Sequence, residues 1–255
     1  MAPLELAVLC DPVTHAPLEL RSQSLVSGSS SYRIEEGIPV FAPAPQNLNL
    51  KYQRMYDRFA PLYDFADSAY RRLTRRDIRA FLAEEFELRP RMRILEVSIG
   101  TGANLRLLPG DAEIHGLDLS MGMLRACRRN LRRAHREGLL YQGEAEHLPF
   151  RDNSFDLVFH VGGINFFNDR RRALQEMLRV ARPGTRLVVS DETEETVTGI
   201  YERIPFVKRF YQQRGAPVAS PAILLPEGTA DIHIHTVNRG RLYSLTFRKP
   251  SLRAQ

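Results

Sequence analysis

Tryptophan is absent from the 255 residues, cysteine occurs twice, and only Lys51, Lys208 and Lys249 are lysines among 36 basic residues. Each shortage excludes something. With Cys10 and Cys127 alone there is no disulfide framework, and a reducing cytoplasm is the expected setting. No stretch approaches the roughly 20 apolar residues of a membrane span. The start M-A-P-L-E-L-A-V-L-C-D lacks a basic flank and carries Glu5 and Asp11, so it does not read as a secretion signal. A net charge of +6 and a pI near 9.6 would suit nucleic acid. The excess is arginine, however. Its densest run, Arg125 to Arg136, sits on a helical pattern with Leu124, Cys127, Leu131 and Ala134 on the apolar side, which turns the arginines to an outer solvated face. Arg170 to Arg172 fall likewise in the first turn of another helix, and nucleic acid is not the expected partner.

What is present is concentrated in Ile94 to Leu105, I-L-E-V-S-I-G-T-G-A-N-L. A short apolar run ends in a carboxylate, Glu96, breaks at a turn containing Gly100 and Gly102, and continues into residues that can start a helix. Such a turn is either plain connecting structure or a place where backbone approaches a nucleotide-like cofactor. The spacing E-x-x-x-G-x-G, with Ser98 and Leu105 where a dinucleotide fingerprint wants glycines, argues against NAD or FAD. A second strand, I-H-G-L-D-L, ends in Asp118, placed to accept hydrogen bonds from both ribose hydroxyls, and Ser120 caps the helix that follows. Then come G-E-A-E-H-L-P-F (Gly143 to Phe150), the strand F-D-L-V-F-H (Phe155 to His160), a helix ending R-V-A-R-P-G, and T-R-L-V-V-S-D (Thr185 to Asp191). Acid-tipped or polar-tipped apolar runs spaced by helices describe a doubly wound parallel α/β sheet with one cofactor across its carboxyl edge. At 43% hydrophobic, the chain can bury one such core with room for a small extra module.

In order and spacing these motifs resemble the class I S-adenosylmethionine-dependent methyltransferases, nearest to the ubiquinone and menaquinone C-methyltransferase group, from about Tyr56 to the C-terminus. The resemblance implies a Rossmann-like seven-stranded sheet with helices on both faces and a C-terminal antiparallel hairpin. It implies S-adenosyl-L-methionine as cofactor and S-adenosyl-L-homocysteine as product. Glu96 and the Gly100 and Gly102 backbone would hold the methionine part and Asp118 the ribose, with Ser98, Leu119, Met123 and His160 also against the cofactor. Glu144 and the Ala145 N–H would meet the adenine. Ser98 departs from the family's usual glycine and puts the turn's shape in question. Tyr56 and Tyr63, in Y-D-R-F-A-P-L-Y-D, would fold over the cofactor or pack a helix on the sheet.

The first 45 residues form a separate small, mainly β module closed by A-P-A-P (Ala42 to Pro45), a stiff linker. Residues 46–255 are the expected methyltransferase domain. L-C-D-P-V-T-H-A-P-L-E-L with G-I-P-V-F-A-P resembles the zinc-ribbon-like domain of a tRNA methyltransferase activator family. Asp11 and Thr14 stand at its cysteine positions, and Cys10 and His15 alone cannot close a four-ligand zinc site, so no metal is expected.

At the other end, Asp231 to Asn238, the turn Arg239-Gly240, and Arg241 to Lys249 form a hairpin with period-2 alternation. Ahead of it, apolar and aromatic residues from Ile200 to Tyr211, including Tyr201, Phe206 and Tyr211, either pack as a helix or wall a hydrophobic acceptor pocket. His160, at the tip of the fourth strand, either acts as a catalytic base or touches the cofactor through its backbone, and Asn165, Phe166 and Asp191 border the same space. Lacking an N/D-P-P-Y/F clamp after the fourth strand and a cysteine at a strand tip, the chain is expected to methylate a small, hydrophobic or aromatic biosynthetic acceptor at O, C, S or an amine N. The alternative is an rRNA or tRNA methyltransferase.

Overall fold

The computed structural model describes residues 4–41, 81–199 and 221–251. Two sheets are formed. The smaller is an antiparallel meander of β1 (Glu19–Arg21), β2 (Ser24–Ser27), β3 (Ser30–Glu35) and β4 (Ile38–Pro39). The larger runs β10-β11-β9-β8-β5-β6-β7, from β5 (Arg93–Val97), β6 (Glu113–Asp118), β7 (Leu139–Gln142), β8 (Leu157–Val161), β9 (Arg186–Glu192), β10 (Ala230–Val237) and β11 (Leu242–Arg248). Strands β5 to β9 pair in parallel and β11 lies antiparallel between β9 and β10. The chain order reverses direction at β5, flanked by β6 on one side and β8 on the other. In open α/β sheets that crevice, beyond the strands' carboxyl ends, is where ligands bind.

Local sequence explains the elements. The strands read as near-continuous apolar runs because both faces are covered, and Ile94, Leu95, Val158, Phe159, Val188 and Val189 are fully buried. The described helices are α1 (Leu82–Glu85), α2 (Met121–Arg133), α3 (Arg170–Val180) and α4 (Glu194–Gly199). Ser120 Oγ accepts from Met123 N at 3.1 Å to cap α2, and Asp169 Oδ1 accepts from Arg172 N at 2.9 Å to cap α3.

Four local expectations change. Behind the glycine turn stands a single 3-10 turn, Leu105–Leu107, in place of a helix start, since Pro109 disfavours helical backbone in the residue before it. Ala134 lies past the end of α2 as an exposed C-cap, outside the apolar stripe. The hairpin turn spans Asn238 to Arg241, with Asn238, Arg239 and Gly240 all at positive φ, because Val237 pairs with Leu242. Strand β10 keeps its alternation but buries neither face: Ile232 and Ile234 are 45% and 43% exposed, as an edge strand allows. The segment 46–80, the A-P-A-P linker and residues 200–220 lie outside the described residues.

The amino-terminal sheet shares a core with the large one. Leu9, Leu25 and Phe41 pack in one apolar cluster with Tyr141, Leu148 and Phe150; burying Leu9 and Leu25 completely contributes about 2 kcal/mol each. Backbone bonds reinforce the contact: Cys10 N donates to Pro149 O at 3.1 Å, Arg151 N to Val8 O at 2.8 Å and Phe41 N to Gln142 O at 2.7 Å. The arginine face of α2 is accordingly not all solvated. Arg125 pairs with Glu35 and Glu36, and Arg128 with Glu36, gripping the turn between β3 and β4, while Arg129, Arg132 and Arg133 remain exposed.

At the position aligned with a zinc cysteine, Asp11 is fully buried. Its Oδ1 accepts from Val13 N at 2.9 Å and Thr14 N at 2.8 Å, and its Oδ2 accepts from the Tyr32 hydroxyl at 2.8 Å. Burial pushes its carboxyl up, but the hydrogen bonds from Thr14, Val13, Tyr32 and Ser30 together outweigh burial and hold it below the usual carboxylate range. The carboxylate closes the turn through hydrogen bonds of its own.

Candidate active site

The parallel strands bring their polar tips to one edge. Glu96 is buried on β5, and its Oε1 accepts from Asn104 Nδ2 at 2.7 Å. That bond fixes the amide's orientation and leaves Asn104 Oδ1 buried without a partner among the described residues; Thr101 Oγ1 is in the same condition. Two buried acceptors beside a carboxylate suit a ligand that brings hydrogen-bond donors, such as an ammonium group. Sequence reasoning missed Asn104 and Thr101, because neither belongs to a glycine or acid motif.

The turn itself keeps the shape that glycines would give it. Ser98, Gly100 and Gly102 have φ of 59°, 56° and 78°. Serine at the first position thus adopts left-handed backbone at a cost of roughly 1 to 2 kcal/mol. The two glycines differ in use. Among the described residues a Cβ on Gly100 would meet nothing within 4 Å, whereas one on Gly102 would stand 2.6 Å from Leu105 Cδ1 and 2.8 Å from Cys127 Sγ. Gly100 lines the crevice and Gly102 allows the turn to pack.

Asp118, at the end of β6, holds two elements. Its Oδ2 accepts from Gly100 N at 2.8 Å and its Oδ1 from Ser120 N at 2.9 Å, tying the glycine turn to the start of α2. Leu119 is next, its carbonyl accepting from Gln142 Nε2 at 3.0 Å, and Met123 is buried in the first turn of α2. Past β7 come Glu144, its side chain 15% exposed, and the buried Ala145. The loop is fastened by Glu146, whose Oε1 accepts from Asn168 N at 2.8 Å and Asp169 N at 3.2 Å ahead of α3.

On the other side of the crevice, His160 on β8 is wholly buried, its Nδ1 2.9 Å from Val97 O and its ring 5.0 Å from that of Phe167. Burial pushes its pKa down, against the pull of Asp191. Asp191 Oδ1 accepts from Gly163 N at 3.1 Å and Glu192 N at 2.9 Å, and its Oδ2 accepts from Asn165 Nδ2 at 3.4 Å. Phe166 follows on the same turn, half-buried. Glu96, Ser98, Gly100, Gly102, Asp118, Leu119, Met123, Glu144, Ala145, His160, Asn165, Phe166 and Asp191 therefore all lie at or just past the carboxyl ends of β5 to β9. Tyr56, Tyr63, Tyr201, Phe206 and Tyr211 fall outside the described residues.

A second polar cluster, unforeseen from the sequence, sits at the opposite strand ends. Glu113 Oε1 lies 2.6 Å from His115 Nε2 and 2.8 Å from Arg93 Nε, and Glu5 Oε1 lies 2.7 Å from Arg93 Nη2. His115 and Glu113 are two residues apart on β6, but the link to Glu5 joins the larger sheet to the segment ahead of the smaller one. The His115 contact, with Arg93, holds the Glu113 carboxyl far below its usual range, and the hydrogen bond to Glu113 pushes that of Glu5 up.

Comparison with known proteins agrees with this geometry. Residues 95–189 match a family model described as a methyltransferase domain. The demethylmenaquinone methyltransferase of Renibacterium salmoninarum is 35% identical over 143 residues, 56% of this chain and 59% of that protein. The ubiquinone/menaquinone biosynthesis C-methyltransferase UbiE of Geotalea daltonii is 34% identical over 145 residues, 54% and 62% respectively. The chain thus spans less than two thirds of the length of these relatives. In fold, it is similar to a chain of the complex between the Haloferax volcanii Trm112 methyltransferase activator and a methyltransferase, with a TM-score of 0.61, 16% identity and coverage of 76% of this chain and 97% of that one. The strand order and the acid-tipped edge agree with the sequence match: residues 95–189 are similar to a methyltransferase domain, on a sheet whose fold is similar to that of a solved methyltransferase complex.

Proposed function

We propose that the chain transfers the methyl group of S-adenosylmethionine to a small hydrophobic or aromatic acceptor of the quinone-precursor type, as the names of its relatives suggest. The observation that carries this reading is the crevice at β5: backbone at Gly100 that no described residue crowds, a ring of carboxylates at Glu96, Asp118 and Glu144, and the unsatisfied acceptor Asn104 Oδ1. Those groups fit the cofactor. Glu96 and Asn104 would take its methionine end, Asp118, Leu119 and Met123 its ribose side, and Glu144 with Ala145 its adenine; Ser98 and the glycine backbone would lie against its middle. When bound, the cofactor supplies an electrophilic methyl on a positively charged sulfur.

The chain's own contribution is to orient the acceptor and exclude water. His160, Asn165, Phe166 and Asp191 border the acceptor's space, and Tyr56, Tyr63, Tyr201, Phe206 and Tyr211 are proposed to complete its apolar cover. The arginines of α2 give little support to an RNA substrate, since Arg125 and Arg128 are engaged with Glu35 and Glu36. Among the described residues no helix is long and apolar enough to cross a membrane; a cytoplasmic setting is part of the proposal.

The test is transfer of labelled methyl from S-adenosylmethionine to demethylmenaquinol and to total RNA, side by side at two salt concentrations. Label in the quinol supports the proposal. Label in RNA, weakened by salt and by replacing Arg129, Arg132 and Arg133 with glutamine, would overturn it.

A further inference from the structure

We propose that His160 Nε2 takes the proton of the acceptor, with Asp191 as the positioning residue that steadies the charged ring, and that the acceptor is in consequence a phenol or enol. The inference rests on the methyl-transfer function proposed above and deepens it. Its basis is the tautomer. The Val97 carbonyl can only accept, so the Nδ1 that lies 2.9 Å from it carries the proton, and Nε2 presents a lone pair. That lone pair is buried and has no partner among the described residues. A fully buried acceptor left unmatched beside a ligand crevice calls for a partner that arrives with the ligand.

Asp191 is built to hold still. Gly163 N, Glu192 N and Asn165 Nδ2 all donate to it, and Gly163 takes a φ of 97° that a side chain would oppose. The surrounding charged or titratable groups are Glu192 on the same strand, Tyr243 facing Asp191 across from β11, and Arg170 of α3, whose Nη1 donates to Asn165 Oδ1 at 3.3 Å. Burial keeps the His160 ring neutral and ready to accept, and Asp191 counters that burial once the ring is charged.

The proton balance selects the acceptor. The acceptor's O–H bond breaks, its proton goes to Nε2, and the electron pair stays on the acceptor, which then takes the methyl at oxygen or at the activated carbon; in the second case that carbon's C–H bond then breaks and a proton returns to the oxygen, so the net loss is still one proton. One proton per methyl leaves from His160 to water. A neutral amine attacks without such help, and a thiol, with a pKa near 8.5, ionises without a dedicated base more readily than a phenol does. An aliphatic alcohol is too weak an acid for an imidazole, whereas a phenol, with a pKa near 10 like tyrosine, is within reach.

Two measurements on the full chain test this. The first is nitrogen NMR of histidine-labelled protein without ligand, with His160→Asn used for assignment. A His160 signal showing a protonated Nδ1 and a bare Nε2 at pH 7 is expected, and a proton on Nε2 would overturn the proposal without reference to activity. The second is turnover of demethylmenaquinol against pH. His160→Asn should lower kcat by about 100-fold with S-adenosylmethionine affinity kept. Asp191→Asn, by removing the charge that favours the protonated ring, should lower the pH at which the rate reaches half its maximum, whereas His160→Asn should flatten the profile, and KM should change little in either. Unaltered kcat and pH profile in His160→Asn would sink the pair while leaving methyl transfer standing. Absence of S-adenosylmethionine binding in the wild type would sink the function itself.

Discussion

Ser98 offers a clean perturbation, because it holds a left-handed backbone that the neighbouring glycines adopt freely. At φ 59° it bears roughly 1 to 2 kcal/mol of steric cost. Ser98→Gly removes that cost but gives the unfolded chain more freedom, which takes back roughly 0.5 to 1 kcal/mol. The difference predicts a net stabilisation of about 0.5 to 1 kcal/mol, or about 2 °C in the thermal midpoint for a domain of this size. Ser98→Ala keeps the strain and should stay near the wild type. Urea unfolding followed by circular dichroism reads both variants, with S-adenosylmethionine affinity as a control that Ser98→Gly should leave nearly intact. A lower midpoint in Ser98→Gly, or an alanine variant that gains as much as the glycine one, would refute the strain at this turn.

Removing the Asp11 carboxylate strands two amides and the Tyr32 hydroxyl, so Asp11→Ala should cost about 3 kcal/mol in unfolding free energy, and elemental analysis of the wild type should find no zinc; one equivalent of zinc that disappears in Cys10→Ser would contradict this. Acid sensitivity should begin early. His160 stays neutral in the folded chain because its pKa is depressed by burial, while the unfolded chain binds its proton near pH 6.5, so the unfolded state holds more protons and stability falls as pH drops below about 6.5, by at most about 1.4 kcal/mol per pH unit. Unfolding free energies measured from pH 7.5 to 5.5 should show that slope and lose part of it in His160→Asn; the same slope in both would place the sensitivity elsewhere.

Much of this site was legible because its residues sit at fixed offsets from strand ends. Glu96, Asp118 and Asp191 are acids that close apolar runs, and parallel pairing of those runs brings their carboxylates to one edge without further information. Strand β7, only Leu139–Gln142, was too short to register as a period of its own and was marked instead by the loop after it. Contacts between residues far apart in the chain were not legible. Glu36 reaches Arg128, and Glu5 reaches Arg93, only because the amino-terminal sheet docks beside β7, and no periodicity encodes that docking. Asn104 was missed for a different reason: an asparagine after a glycine turn carries no signal until its amide is seen bonded to Glu96. On the arginine stripe of α2, helical spacing reports a face and not what covers it, so the pairing of Arg125 and Arg128 with Glu35 and Glu36 carries no signal in the sequence.

Calorimetric titration of the purified chain with S-adenosylmethionine tests the central claim most directly. One site per chain is expected, and Asp118→Asn, which retains a carbonyl acceptor but loses the charge, should weaken binding at least tenfold while the protein remains folded, about 1.4 kcal/mol or more for hydrogen bonds to a charged group. A folded wild-type chain that binds no S-adenosylmethionine, or an Asp118→Asn variant that binds it equally well, would contradict the assignment of the β5 to β7 edge as the cofactor site.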